Sequence, residues 1–169
     1  MLSNWQAEPI MGLMRLIETQ SKETLVNWAV DYAELNFLPI YLKAYPEDQR
    51  PQLTLEYARK WLRKEVKLPE AKKFILACHE AANEAVEAPA AQAAARAIGQ
   101  AASSIHSAIH SLGLALYGGV AVAYDQLGME VPWAEHEAFA LKECAKMLAA
   151  LQAVAIPDEP NPVKVKWFC

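Results

Sequence analysis

The chain has 169 residues, which suits one domain with a substantial core and is short for two. Hydrophobic residues make up 54%, which excludes an intrinsically disordered chain. A net charge of −4 and a pI of 5.6 argue against a dedicated binder of nucleic acid or anionic membrane.

Pro9 opens a predicted short helix over Ile10 to Glu18, with Met11, Leu13, Met14 and Ile17 as its apolar face. Ser21 is the predicted N-cap of a second helix, in which Leu25, Trp28, Ala29, Tyr32 and Leu35 recur at helical spacing. Pro39 kinks or ends it, and Leu38 to Leu42 form a further turn. AYPEDQRP reads as a loop. Pro51 opens a third helix to about Lys64, burying Leu55, Ala58, Trp61 and Leu62. Pro69 opens a fourth, with Phe74, Ala77, Cys78, Ala81 and Ala85 inward and Glu80, Glu84 and Glu87 on its outer lane.

The stretch from Ala88 to Tyr124 differs from the rest. Arg96 is its one formally charged residue, and apolar side chains surround it almost completely. A helix of that kind belongs in the interior. As one rod it would be roughly 55 Å long, against a diameter of about 40 Å for a domain of this size. A break is therefore predicted between Gly99 and Ser104, giving helices near 90–101 and 104–125. QLGMEVP is a turn, and Pro132 starts a last helix through about Val154. Pro157, Pro160 and Pro162 exclude helix beyond it. The expected fold is all-α: a compact single-domain bundle of six to seven helices, residues 1–156, around a buried Ala/Gly-rich central helix. Residues 157–169 form an irregular tail, with Trp167 or Phe168 docked on a helix.

Cys78, Cys144 and Cys169 are odd in number, widely spaced and lack any CxxC, which reads as reduced thiols in a cytosolic protein. The acidic N-terminal approach lacks the basic region of a signal peptide. Two histidines and three glycines interrupt Ile105 to Tyr124, so a buried helix is the reading there and not a membrane span.

Several stretches together resemble the bacterial immunity proteins of the immunity-five-like family, associated with polymorphic toxin systems. They begin at Leu25-Val-Asn-Trp28-Ala, Tyr32-Ala-Glu34 and Leu38-Pro39, and continue through Asp48-Gln-Arg50-Pro51 and Ala58-Arg-Lys-Trp61-Leu. Ala77-Cys-His79-Glu-Ala-Ala82, Ala93-Ala-Ala-Arg96-Ala and Ser104-Ile-His106-Ser-Ala-Ile-His110 complete the set. The resemblance implies a helical, cytosolic, non-enzymatic protein that neutralises a cognate toxin by binding it. It carries over no catalytic residue and no cofactor. The chain departs from the family pattern at Ala81-Ala82-Asn83, where Ala-Ala-Arg is usual, and its tail lies outside the resemblance.

Candidate chemistry is sparse. His106 and His110 share a helix face with Tyr117 and could ligate a metal if His79 or a carboxylate supplied a third ligand. Against this stands a set of buried, hydrogen-bonded core side chains: Arg96, His106, His110 and Tyr117. An arginine inside an alanine helix needs a partner, and Asp31 or Glu34 is the predicted one. HExxH, GxSxG and a phosphate loop are all absent, and Gly118-Gly119 reads as close helix packing. Arg59, Lys60, Arg63, Lys64, Lys67, Lys72 and Lys73 form a basic face suited to nucleic acid or to i,i+4 pairing. Glu80, Glu84 and Glu87, with any exposed Asp31 or Glu34, read as a solvated helix face or as a surface that could meet a basic toxin.

Overall fold

The computed structural model describes residues 1–167; Phe168 and Cys169 lie outside the described residues. Eight helices run in chain order: α1 (Glu8–Ile17), α2 (Lys22–Asn36), α3 (Leu38–Ala44), α4 (Arg50–Leu62), α5 (Leu68–Glu84), α6 (Pro89–Ser103), α7 (His110–Leu127) and α8 (Trp133–Val154). The turn expected past Pro39 is the separate helix α3. Proline stands in the first turn of α1, α3, α4, α5 and α6, where its missing N–H has no intrahelical partner to lose. Ser21 caps α2 by accepting from the Thr24 amide at 3.2 Å.

From α4 onward the chain folds back on itself at every connection. Thr54 meets the Phe74 carbonyl and Arg50 meets Glu84, so α4 and α5 are antiparallel. The Cys78 thiol donates to Ala95 O and Gln92 to Ala82 O, which makes α5 and α6 antiparallel too. Ser104 meets Ser111 while Arg96 meets Tyr117 across α6 and α7. Cys144 meets Ala115 while His136 meets the Gly128 carbonyl across α7 and α8. Helices α1, α2 and α3 close over this meander, α1 against α8 and α2 across α4, α6, α7 and α8.

The centre is the α6–α7 hairpin. Ten of the fifteen residues of α6 are buried and none is fully exposed; the buried ones include Ala91, Ala93, Ala94, Ala95, Ala97, Ile98, Gly99, Ala101 and Ala102. In α7, Leu112, Leu114, Ala115, Leu116, Gly118, Gly119, Val120, Ala121 and Ala123 are buried as well. Their mutual contact is the most extensive of any helix pair. The break falls later than predicted, over 104–109, and α7 starts at His110. The serines explain the shift: Ser103 and Ser104 donate back to the carbonyls of Gly99 and Gln100, extending α6 instead of capping α7. Gly99 stays helical, and its bare Cα makes room for the His79 ring, which an added Cβ would meet at 2.6 Å.

Two smaller expectations also change. Leu35 is 77% exposed, because the inner face of α2 ends at Ala33 and passes to Phe37. Helix α5 ends at Glu84, so Glu87 lies beyond the helix whose outer lane it was expected to share. Past α8, Ile156 N donates to Gln20 Oε1 at 2.8 Å, Val163 N to Gln20 O at 2.9 Å, and Trp167 Nε1 to Glu18. The contact expected of Trp167 is thus made on the end of α1. No strand occurs among the described residues.

Gly119 sits where α7 crosses α8, and a Cβ there would lie 2.7 Å from the Ala140 carbonyl oxygen. Backbone cannot rotate aside as a side chain can. Helix propensity alone would make Gly119→Ala stabilising by about 1 kcal/mol, whereas overpacking costs about 1–3 kcal/mol. Thermal unfolding should show Gly119→Ala melting below the parent; a higher melting temperature would contradict this packing.

Candidate functional site

Three consecutive helices bring polar side chains to one cleft of about 330 Å³. His79 and Asn83 lie one turn apart on α5, Arg96 and Gln100 one turn apart on α6, and Tyr117 faces them from α7. Arg96 extends over the Tyr117 ring, 5.9 Å from its centroid. Among the described residues Arg96 forms no ion pair, and no carboxylate lines the cleft.

The ion pair predicted for Arg96 is not made. Asp31 and Glu34 both accept from Arg59 at 2.7 Å, because that face of α2 meets α4 while Arg96 faces α5 and α7. Arg96 and Tyr117 are half-buried, not core groups. Both expectations assumed that a lone arginine in an alanine helix must point inward.

The two histidines stay neighbours by another route. His106 lies in the 104–109 connection, so no helical lane carries it, yet its ring centroid is 5.1 Å from that of His110. His110 Nδ1 meets Gln100 Oε1 at 2.8 Å; Tyr117 is turned to Arg96 instead. If that oxygen accepts, the tautomer at His110 carries its proton on Nδ1, and the Gln100 NH₂ group is left for the cleft. His106 Nδ1 is buried without a partner. Both histidines are half-buried. Burial, then His106, then His79 depress the His110 pKa to about 4. Burial and Arg96 lower that of His79, and burial followed by Lys72 and Lys22 lowers that of His106. All three imidazoles are therefore uncharged at neutral pH. No three His, Cys, Asp or Glu side chains among the described residues come together as metal ligands.

The remaining charged candidates are largely paired at the surface. Arg50 bridges Asp48 at 2.7 Å and Glu84 at 2.6 Å, and Asp48 also accepts from the buried Tyr41 hydroxyl. Arg50 is the main reason that the Asp48 carboxyl is held at about 2. On the basic face, Lys60 pairs with Glu56 and Arg63 with Glu65, while Lys64, Lys67, Lys72 and Lys73 are exposed. Of the expected acidic surface, Glu80 and Glu87 stand exposed and outside these pairs. The thiols of Cys78 and Cys144 are free and buried, and burial pushes each up to about 12, too high for thiolate chemistry at neutral pH.

A family model described as Imm-5 like putative immunity protein matches residues 15–150. The chain belongs to that family. The matched segment runs from the last turns of α1 to the last turns of α8 and contains the whole cleft. No curated protein and no solved structure matches the chain. No helix among the described residues is long and apolar enough to cross a membrane.

Gln100 and Asn83 were not singled out by sequence reasoning as site residues. The signal was available in principle: Asn83 stands four residues after His79, and Gln100 four after Arg96. What the sequence lacked was the register of α5 against α6.

The neutral histidines set a pH dependence. A group with a folded pKa below its unfolded value of about 6.5 favours the folded state above that value. The advantage is lost as pH falls toward the folded pKa. For His110 the window is pH 6.5 down to about 4. The melting temperature should decline on acidification from pH 7 to 5, and His110→Gln, which keeps an amide toward Gln100, should flatten the decline. An unchanged slope in the variant would show that His110 does not carry it.

Proposed function

We propose that this protein binds and neutralises a cognate toxin of a bacterial polymorphic toxin system, acting in the cytoplasm as a non-enzymatic immunity protein. Membership of the immunity family across residues 15–150 is the observation that carries the reading. Its physical chemistry is compatible with capture by surface contact. The thiols of Cys78 and Cys144 are buried and protonated, the imidazoles of His79, His106 and His110 are neutral, and the interior is committed to packing. Residues 1–156 act as the binding body in this reading, and the described part of the tail, 157–167, as a strap over the ends of α1 and α8.

The contact surface we assign is acidic. Glu80 and Glu87 are exposed and have no ion-pair partner among the described residues, and Glu84, Asp31 and Glu34 add charge around Arg50 and Arg59. On a chain of net charge −4 such a surface attracts a basic partner and accelerates encounter more than it strengthens the final complex.

Co-expression tests the reading: a toxin encoded beside this gene should lose its lethality when this chain is made in the same cell. Unabated killing with well-expressed, folded protein would contradict it. With the toxin in hand, Glu80→Lys with Glu87→Lys should slow association several-fold at low salt and leave dissociation almost unchanged. Equal association rates would move the contact surface elsewhere.

A further inference from the structure

The cleft between α5, α6 and α7 has a chemistry that toxin capture by an acidic face does not use. Five side chains from three helices line it: His79, Asn83, Arg96, Gln100 and Tyr117. Each can donate a hydrogen bond. Among the described residues, Gln100 is the only one with a side-chain hydrogen bond, and that one occupies its amide oxygen, not its NH₂. The guanidinium is the one formal charge in the lining, and no carboxylate is there to balance it. The effect is felt by a neighbour, since Arg96 lowers the pKa of His79. A partly desolvated guanidinium with unused donors around it lacks an anion.

The shape narrows the choice. The donors come from three helices, two from α5, two from α6 and one from α7. A carboxylate offers two coplanar oxygens, which the Arg96 fork alone would satisfy. A phosphoryl group offers three oxygens spread tetrahedrally, which can meet α5, α6 and α7 together. The volume of about 330 Å³ lies at the small end of ligand pockets and admits a phosphate on a compact scaffold.

We infer that the α5–α6–α7 cleft is a binding site for a small phosphate-bearing ligand, with the Arg96 guanidinium as its anchor and His79, Asn83, Gln100 and Tyr117 as its surrounding donors. Gly99 is part of the construction, because the His79 ring occupies the space a Cβ at that position would take. His110 is a positioning residue: its Nδ1 contact turns the Gln100 amide so that NH₂ and not oxygen is left for the anion. The inference stands apart from toxin capture, and either can fail alone.

Calorimetric titration of the full chain at pH 7 tests it, with inorganic phosphate, phenyl phosphate and succinate as probes and without any toxin. The parent protein should bind one phosphate-bearing probe per chain, more tightly than succinate. Arg96→Met should weaken that binding at least tenfold while keeping the parent's helical signal and melting temperature. Arg96→Lys should fall between them, keeping the charge without the fork. Should Arg96→Met fail to fold, amide chemical-shift changes in the parent protein on adding phosphate take its place, and these should centre on Asn83 and Gln100. Absence of binding, equal binding by folded Arg96→Met, tighter binding of succinate, or shifts centred elsewhere would each overturn the assignment.

Discussion

The close approach of α6 and α7 is the constraint on which the rest of this structure depends. Helix α6 carries alanine, glycine and serine where most core helices carry leucine, and α7 sets Gly113, Gly118 and Gly119 among its leucines, so the two pack over the most extensive contact in the molecule and leave gaps for larger neighbours to fill. The surrounding helices supply it. Phe37 lies against Gly118, where a Cβ would meet its ring at 2.2 Å, and the Leu148 side chain fills the equivalent space beside Gly12 of α1. Large side chains at the periphery thus complement small ones at the centre, which is how a charge-poor hairpin is packed without voids. It also explains why a single methyl at Gly119 is expected to matter.

The same constraint creates the cleft. A hairpin of small residues cannot bury a guanidinium, so Arg96 emerges where α5 and α7 leave a gap beside α6. Tyr117 gives its aliphatic stem and cation a ring to lie on. Helix α5 can bring His79 close enough to share the space because position 99 is glycine. The chain therefore places a lone guanidinium on an otherwise uncharged helix, with a neutral imidazole and two amides around it. The charged groups that serve as surface ties are elsewhere, in the Arg50–Asp48–Glu84 and Arg59–Asp31–Glu34 bridges that hold α4 to its neighbours.

Much of this was legible in the residues. Proline at most helix starts, helical spacing of Leu25, Trp28 and Ala29, and the absence of strand patterning were enough for an all-α bundle. The lack of charge from Ala97 to Tyr124 was enough to put that segment inside. What local reasoning could not supply was pairing. Serine can cap the next helix or donate back into its own, and Ser103 and Ser104 chose the second because α6 was buried to its end. Asp31 and Glu34 could have met Arg96 or Arg59, and only the register of α2 on α4 decides for Arg59. His106 and His110 are adjacent in space although the helix that was to align them starts at His110. Sites assembled from three helices, as the cleft is, remain invisible until the helices are set against one another.

Hydrogen exchange on the native protein, resolved by residue, tests the organising role of the α6–α7 hairpin most directly. Amides that open only with the whole molecule exchange slowest. The account predicts that these cluster in α6 from Ala93 to Ala102 and in α7 from Leu112 to Ala123, with α1, α3 and the tail opening first. A slowest-exchanging set in α2 and α4, with α6 and α7 exchanging ahead of them, would contradict it.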